Sequence, residues 1–188
     1  MNTYFGSGIV SKHTGVLLNS QMDDFSTPGR PNFFGLEPSA GNYIRPGKKP
    51  LSSMSPMLIY RETDGGSTVG DLAMALGASG GPKIITAVLQ TFINYAVYRM
   101  PLFQAVAHPR LHDQLLYHGT ASALYEQTTI GKAKIEVDEK TRQALIKTGH
   151  NLLAIGYTGA VQVVALDNVT YRMDGVSDIR KGGLPAGY

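Results

Sequence analysis

Residues 67–97, STVGDLAMALGASGGPKIITAVLQTFINYAV, contain the change of pattern that decides the fold. The first part is apolar and, together with MLIYR at residues 57–61, predicts a β-hairpin that turns at residues 63–66. From Pro82 to about Arg99 the apolar residues recur at helical spacing, and the first turn of a helix tolerates proline. The predicted buried face of this helix consists of Ile84, Ile85, Val88, Leu89, Phe92, Ile93, Ala96 and Val97.

Further elements are predicted on both sides of this stretch. Upstream, residues 8–19 end in the apolar run GVLLN and predict a buried strand, whereas residues 26–50 are rich in Pro, Gly and Ser and predict a long ordered loop. Downstream, the patterns predict a helix from Pro101, a strand at 133–137, a helix from the cap Asp138 to Gly149, and strands at 151–156, 160–167 and 169–174. Few strands are separated by crossover helices, so the sequence predicts an α+β fold of mainly antiparallel sheets covered by helices.

The composition limits the classes of protein that fit. With 188 residues, of which 43% are hydrophobic and 16% charged, we expect a single domain over residues 1–188. The net charge of +3 is spread along the chain, which argues against nucleic acid as a partner. The chain has no cysteine, no apolar run long enough for a membrane span and no recognisable signal peptide. Asn168 lies in an N-x-T triplet, a weak signal for glycosylation.

The segment GASGGPK at residues 77–83 permits three interpretations. As a G-x-S-x-G elbow between a strand and a helix, it would make Ser79 the nucleophile of a serine hydrolase, with His150 and either Asp138 or Asp167 completing the triad. Alternatively, the N–H groups of Gly80 and Gly81 at a helix N-terminus would form an oxyanion hole. The third interpretation is a glycine-rich turn without chemistry.

Two other segments carry complementary polar groups. In NSQMDDF at residues 19–25, Gln21 and Asp24 supply the acceptors and the negative charge that an ammonium group needs. In LSSMSP at residues 51–56, Ser52 and Ser53 can donate hydrogen bonds to a carboxylate, although adjacent serines are more often turn formers. Together with the glycine pair, these groups suggest a pocket for the zwitterionic end of an amino acid beside an acyl-transfer centre.

Histidines do not indicate a metal site. His108 and His112 are four residues apart, but Pro109 argues against a regular helix that would present both on one face. The sequence therefore predicts no metal and no cofactor.

Several segments together resemble the small subunit of γ-glutamyltransferases, also called glutathione hydrolases. They are NTYFGSGIV, GVLLNSQMDDFSTPG, NYIRPGKKPLSSMSP, GASGG, HPRLHDQLL and DIRKGGLPAGY, which begin at residues 2, 15, 42, 77, 108 and 178. The resemblance implies an N-terminal-nucleophile hydrolase with an αββα sandwich that cleaves the γ-glutamyl amide of glutathione and transfers the acyl group to water, amino acids or dipeptides. It also implies a large subunit as partner and a place outside the cytosol, such as a vacuole, the cell surface or the periplasm.

The resemblance implies roles for matching residues. Asn2, Gln21 and Asp24 match residues that hold the α-amino group of the γ-glutamyl moiety. Ser52 and Ser53 match those that bind its α-carboxylate, and Gly80 and Gly81 match the oxyanion hole. Ser79 matches a position that is not nucleophilic in the family.

The sequence also departs from the family. The nucleophilic threonine of the family, and a second threonine that supports it, lie upstream of the asparagine matched by Asn2, where this sequence has Met1. We therefore expect a truncated small subunit, without its first strands and the large subunit, that has no amidase activity by itself. The alternatives are a non-catalytic protein that binds γ-glutamyl ligands or large subunits of relatives, and a serine hydrolase that uses Ser79.

Overall fold

The computed structural model describes residues 4–62, 69–167 and 170–187. The chain divides into a smaller unit, Met1–Ser53 with Gln114–Ala121, and a larger unit, Met54–Asp113 with Ser122–Tyr188. A single domain over residues 1–188 stays a prediction. Asn2, the turn at 63–66 and Asn168 lie outside the described residues.

The larger unit contains all the strands and α-helices of the described residues. In chain order they are β1 (Met57–Glu62), β2 (Val69–Ser79), α1 (Lys83–Ala96), α2 (Leu102–Ala107), β3 (Leu111–His112), β4 (Ala123–Ile130), β5 (Ala133–Glu136), α3 (Glu139–Lys147), β6 (Leu152–Ile155), β7 (Ala160–Leu166) and β8 (Met173–Ser177). The predicted hairpin and the helices after Pro82 and Pro101 are confirmed. The cap of α3 is confirmed as well, because Asp138 Oδ1 accepts from the N–H of Thr141 at 2.9 Å. The last predicted strand lies a few residues later than expected.

Two four-stranded sheets organise this unit. The first has the order β1-β2-β7-β8, with every neighbouring pair antiparallel. In the second, β4 pairs antiparallel with β3 and β5 and parallel with β6. The parallel pair is possible because the connection from β4 to β6 is long and includes β5 and α3. The predicted α+β class with mainly antiparallel sheets is thus confirmed.

The main core lies between the first sheet and the helices α1 and α2. Met74 and Leu76 of β2 and Val161, Val163 and Ala165 of β7 pack against buried residues of both helices. The predicted face of α1 is partly wrong: Ile85 and Leu89 are 52% and 48% exposed, whereas Thr91 and Asn94 are buried. The buried stripe of α1 is therefore rotated towards polar residues, and Asn94 Nδ2 donates to the carbonyl of Ala105 in α2 at 3.5 Å.

The smaller unit consists mainly of loops and turns. Its described residues contain two short 3-10 helices, Gln21–Asp24 and Ala40–Asn42, so the predicted loop at 26–50 is confirmed. The predicted buried strand at 8–19 is wrong, because Ile9, Val10, Val16 and Leu18 are exposed, Leu17 is only half-buried, and only an isolated bridge joins Val10 to Leu17. A tight turn from Ser11 to Val16 with Gly15 at φ +69° interrupts the extended backbone.

No helix within the described ranges is both long and apolar enough to cross a membrane.

Candidate active site

The chain passes from β2 into α1 through a turn that only glycine fits comfortably. β2 ends at Ser79, Gly80 and Gly81 have φ angles of +147° and +62°, and Pro82 caps α1. The N–H of Ile84 closes the turn by donating to the carbonyl of Gly81 at 3.0 Å. Positive φ angles are strained for residues with a Cβ atom, so the two glycines are a conformational requirement of this turn.

Gly80 is also required because another backbone segment touches it. A Cβ atom placed on Gly80 would lie 2.8 Å from the Cα of Gly159, which precedes β7. A Cβ atom placed on Gly159 would lie 3.0 Å from the carbonyl oxygen of Ser79, and Gly159 itself has a φ of +127°. The turn before α1 and the loop before β7 therefore approach each other through backbone atoms.

The electrostatic surroundings of the glycine turn are positive. The turn precedes the N-terminus of α1, where the helix dipole has its positive end. Burial lowers the pKa of Lys83 at the start of α1. Lys181 is also close to the turn, since its Nζ donates to Ser79 Oγ at 3.2 Å. Such surroundings favour an anion near the turn.

The loop before β7 contacts a network of buried charged side chains, which the sequence did not predict. We call it the buried charge cluster. It consists of Arg110, Glu126, Asp178 and Arg180, whose side chains are at most 1% exposed. Arg110 Nη2 and Asp178 Oδ2 are 2.8 Å apart, and Arg180 Nε donates to Glu126 Oε1 at 2.8 Å. Although burial alone would raise the pKa of Asp178, the charges of both arginines and two backbone N–H groups hold it below its usual value.

The predicted binding residues lie in the smaller unit, where Asn42 joins two of their segments. Asn42 Nδ2 donates to the carbonyl of Asp24 at 2.7 Å, and its Oδ1 accepts from the N–H of Leu51 at 2.9 Å. One asparagine side chain thus ties the segment of Asp24 to the segment that continues into Ser52 and Ser53. Asn42 belongs to the NYIRPGKKP motif, but its role as a bridge could not be read from the sequence.

The exposure of the binding residues fits a site at the surface of this unit. Gln21 and Ser52 are exposed, and Asp24 and Ser53 are half-buried. The N–H of Gln21 donates to Asn19 Oδ1 at 2.9 Å, which fixes the start of the 3-10 helix. An open cleft nearby is lined by Met22, Phe25, Ile44, Arg45, Pro46 and Lys48. The lining of this cleft does not include Gln21, Asp24, Ser52 or Ser53. The candidate binding site is therefore defined by these four residues and not by the cleft.

The structure does not bring all predicted residues into one described group. Gln21, Asp24, Ser52 and Ser53 belong to the smaller unit, Gly80 and Gly81 belong to the larger unit, and Asn2 is not described. The convergence of the two groups stays a prediction.

The groups that a serine triad would need have other partners. His150 Nδ1 lies 3.5 Å from Asp113 Oδ2, Asp138 caps α3, and Asp167 Oδ1 accepts from the N–H of Thr170 at 2.6 Å. These contacts do not support Ser79 as an activated nucleophile.

The two histidines considered for a metal also have protein partners. His112 Nδ1 lies 2.8 Å from Thr86 Oγ1, and His108 Nδ1 lies 3.0 Å from the carbonyl oxygen of Pro109. Within residues 4–62, 69–167 and 170–187, no group of three or more His, Asp or Glu side chains has a metal-binding arrangement.

Comparison with known proteins gives one consistent result. The family model described as Gamma-glutamyltranspeptidase matches residues 1–188. The chain is 39% identical over 184 residues to a glutathione hydrolase proenzyme of Arthroderma benhamiae and 37% identical over 199 residues to glutathione hydrolase 2 of Arabidopsis thaliana. These matches cover 97% and 100% of the chain but only 29% and 32% of the relatives, so the chain spans about a third of their length.

Solved structures give the same result for the fold. A gamma-glutamyltranspeptidase from Pseudomonas nitroreducens complexed with L-DON is 35% identical with a TM-score of 0.79, over 100% of this chain and 89% of that chain. The T380A mutant of the Helicobacter pylori gamma-glutamyltranspeptidase is 31% identical with a TM-score of 0.80, over 96% and 89%. The two sheets and their helices therefore match the architecture of these N-terminal-nucleophile hydrolases.

Proposed function

The chain belongs to the gamma-glutamyltranspeptidase family, and we propose that it supplies the γ-glutamyl-binding and oxyanion-stabilising groups of a γ-glutamyltransferase and glutathione hydrolase. The observation that carries this proposal is the Gly80–Gly81 turn at the start of α1. Positive φ angles and backbone contact with Gly159 build this turn to a fixed geometry. A turn fixed in this way suits a reaction that needs preorganised N–H donors.

The proposed reaction is the cleavage of a γ-glutamyl amide in two steps. A hydroxyl oxygen attacks the γ-carbonyl carbon, and negative charge develops on the carbonyl oxygen. The C–N bond then breaks, the amine leaves with a proton, and an acyl ester remains. Water or the amino group of an amino acid or dipeptide attacks the ester and regenerates the hydroxyl group. Gly80 and Gly81 would stabilise the oxyanion, and each such donor typically contributes about 2.7–4 kcal/mol in the transition state.

The polar groups of the smaller unit would hold the other end of the substrate. Asp24 and Gln21, with Asn2, would accept hydrogen bonds from the α-ammonium group, and Ser52 and Ser53 would donate to the α-carboxylate. The Asn42 bridge supports this assignment, since it tethers the Asp24 segment to the serine segment. Glutathione and other γ-glutamyl compounds carry this zwitterionic headgroup.

The attacking hydroxyl is the part of the reaction that these 188 residues do not supply. The resemblance assigns the nucleophile of the family to a threonine upstream of the position matched by Asn2. We therefore propose that the nucleophile and a large subunit come from outside this sequence. The 188-residue chain by itself would bind γ-glutamyl ligands without cleaving them, since an amide is hydrolysed very slowly without a nucleophile.

Binding of L-glutamine, the simplest γ-glutamyl amide, tests the proposal by calorimetry on the purified chain. Asp24→Asn should weaken binding about tenfold or more, because hydrogen bonds to charged groups contribute about 1.5–3 kcal/mol. Asp23→Asn is the matched control, since it removes the neighbouring carboxylate, which is exposed. Equal effects of the two variants, or no binding to the unmodified chain, would contradict the proposal.

Incubation with a γ-glutamyl anilide tests the second part. The chain alone should release no aniline above the uncatalysed background. Release that is abolished by Gly80→Pro would refute the claim that the nucleophile is missing. Labelling of Ser79 by a fluorophosphonate would instead support the serine-hydrolase alternative.

A further inference from the structure

The buried charge cluster holds the backbone at three points, two in the loop before β7 and one at the start of β7. Glu126 Oε1 accepts from the N–H of Thr158 at 2.8 Å and from its Oγ1 at 3.0 Å. Arg110 Nη1 donates to the carbonyl of Gly159 at 3.0 Å. Asp178 Oδ2 accepts from the N–H of Val161 at 2.8 Å. The loop is therefore fixed by charged side chains just before its strand begins.

Arg180 connects the carboxylates of the cluster to the end of α2. Its Nη1 donates to Asp178 Oδ1 and to the carbonyl of Val106, both at 3.0 Å, and its Nη2 donates to the carbonyl of His108 at 2.9 Å. Burial would lower the pKa of Arg180, but its hydrogen bond and attraction to Glu126 outweigh burial and raise it. The charged forms of Arg180 and Asp178 are thus both favoured in the folded chain.

Stability alone is a weak explanation for this cluster. Removing two ion pairs from water costs free energy that their attraction repays only with excellent geometry, and well-packed apolar residues are often as stabilising. What apolar side chains could not provide is a set of directed hydrogen bonds to the backbone of residues 158, 159 and 161, where the loop enters β7. The cluster is thus better suited to fixing the conformation of this loop than to increasing total stability.

The fixed loop is in contact with the glycine turn. Gly159, whose carbonyl is held by Arg110, packs its Cα so close to Gly80 that a Cβ atom there would approach to 2.8 Å. A displacement of Gly159 would therefore leave Gly80 without the surface that limits its backbone. Ile84 reports on the same turn, because its N–H is bonded to the carbonyl of Gly81.

We propose that Arg110, Glu126, Asp178 and Arg180 are positioning residues, which fix the loop before β7 and through Gly159 set the backbone of the Gly80–Gly81 turn. They act through the loop and do not touch the substrate. The consequence for catalysis rests on the proposed function, in which this turn stabilises the oxyanion.

NMR spectra of the 188-residue chain, with the amide resonances of Gly80, Gly81 and Gly159 assigned, test the proposal. Thr158→Val removes the hydroxyl that donates to Glu126, and it should shift these three resonances and speed amide exchange at Val161 about tenfold or more, the usual effect of losing a hydrogen bond to a charged group. Thr158→Ser keeps the hydroxyl and should restore both signals. Arg180→Lys keeps the charge but loses the planar fork, and it should act like Thr158→Val.

Arg142→Lys is the matched control for Arg180→Lys. Arg142 also forms two ion pairs, at 3.0 Å with Glu136 and at 2.5 Å with Glu139, but it belongs to α3. This variant should leave Gly80 and Gly81 unchanged. Unchanged glycine resonances in Thr158→Val and Arg180→Lys, or an equal response to Thr158→Ser, would overturn the proposal.

Two further measurements keep the outcomes distinct. If Arg180→Lys does not fold, hydrogen exchange of the unmodified chain in increasing urea decides, since Val161 and Ile84 should open with the same free energy and different values would refute the coupling. Addition of L-glutamine tests the proposed function separately. Absence of any L-glutamine-induced shift, with the glycine resonances still responding to Thr158→Val, would refute the function and leave the positioning role supported.

Discussion

Replacing Gly80 by alanine should destabilise the larger unit more than any glycine substitution in open space. Gly80 has a φ of +147°, and its new Cβ would lie 2.8 Å from the Cα of Gly159. The neighbouring atom belongs to backbone, so no flexible side chain can move away to relieve the overlap.

The magnitude follows from two separate costs. A residue with a Cβ in a sparsely populated region of φ costs about 1–3 kcal/mol. Forcing one additional carbon into packed surroundings costs about 1–3 kcal/mol as well. We therefore expect Gly80→Ala to lower the free energy of unfolding by about 2–6 kcal/mol.

Urea unfolding followed by far-ultraviolet circular dichroism measures this change. Gly77→Ala is the matched control, because Gly77 lies in β2, three residues before Gly80, with no atom within 4 Å of its added Cβ. The control should change the free energy of unfolding by less than about 1 kcal/mol. If Gly80→Ala and Gly77→Ala give the same midpoint within error, the contact between the two backbones does not constrain this turn and the reasoning is wrong.

Three other predictions concern capping, packing and pH. Asp138→Ala should lower the Tm by about 2–4 °C, because the N–H of Thr141 loses its acceptor. Asp138→Ser should lower the Tm less, because serine can also accept this hydrogen bond. Leu124→Ala, at a side chain that is 0% exposed, should cost about 2–5 kcal/mol in urea unfolding, and Leu153→Ala, at 44% exposure, clearly less. The pKa of Asp178 is depressed in the folded chain, so its contribution to stability is present above about pH 4 and is lost as the pH falls further. Asp178→Asn should therefore reduce the fall of the urea midpoint between pH 5 and pH 3, measured in steps of about half a pH unit. An unchanged dependence of the midpoint on pH would contradict this.

The strands and helices around residue 80 were predictable because local patterns dominate there. The apolar run of β1, the helical spacing of α1 and the cap at Asp138 are short-range signals, and all three predicted elements were confirmed. The face of α1 was less predictable. Ile85 and Leu89 are apolar but exposed, while Thr91 is buried, and the choice depends on how the helix rotates against the sheet.

Strand β4 was not predicted from the sequence, for a different reason. It carries Glu126 at 0% exposure, and a charged residue in an apolar stretch normally indicates the surface. Its partners Arg110 and Arg180 lie 16 and 54 residues away in the chain. Short-range sequence patterns therefore do not reveal the positive charges that neutralise Glu126. Both arginines belong to segments that carry the family resemblance, HPRLHDQLL and DIRKGGLPAGY, and this was the one signal that could have drawn attention to them.

The candidate site was predictable in its residue types but not in its supports. The glycine pair, the acidic segment and the serine pair were identified from the sequence, and their roles stay predictions. Gly159 and Asn42, which hold these segments, could not be found from local patterns, because Gly159 contacts the distant Gly80 and Asn42 joins residue 24 to residue 51. The apolar run at 8–19 led to the wrong prediction of a buried strand, because its composition is typical of a strand but the chain turns at Gly15.

The amide of Asn42 has a practical consequence for engineering. Because Asn42 bonds to the backbone of residues 24 and 51, a mutant library can randomise the side chains at positions 24, 52 and 53 without removing this bridge. Retaining asparagine at position 42 should therefore give a larger proportion of functional clones than randomising position 42 as well, when a changed donor preference is sought.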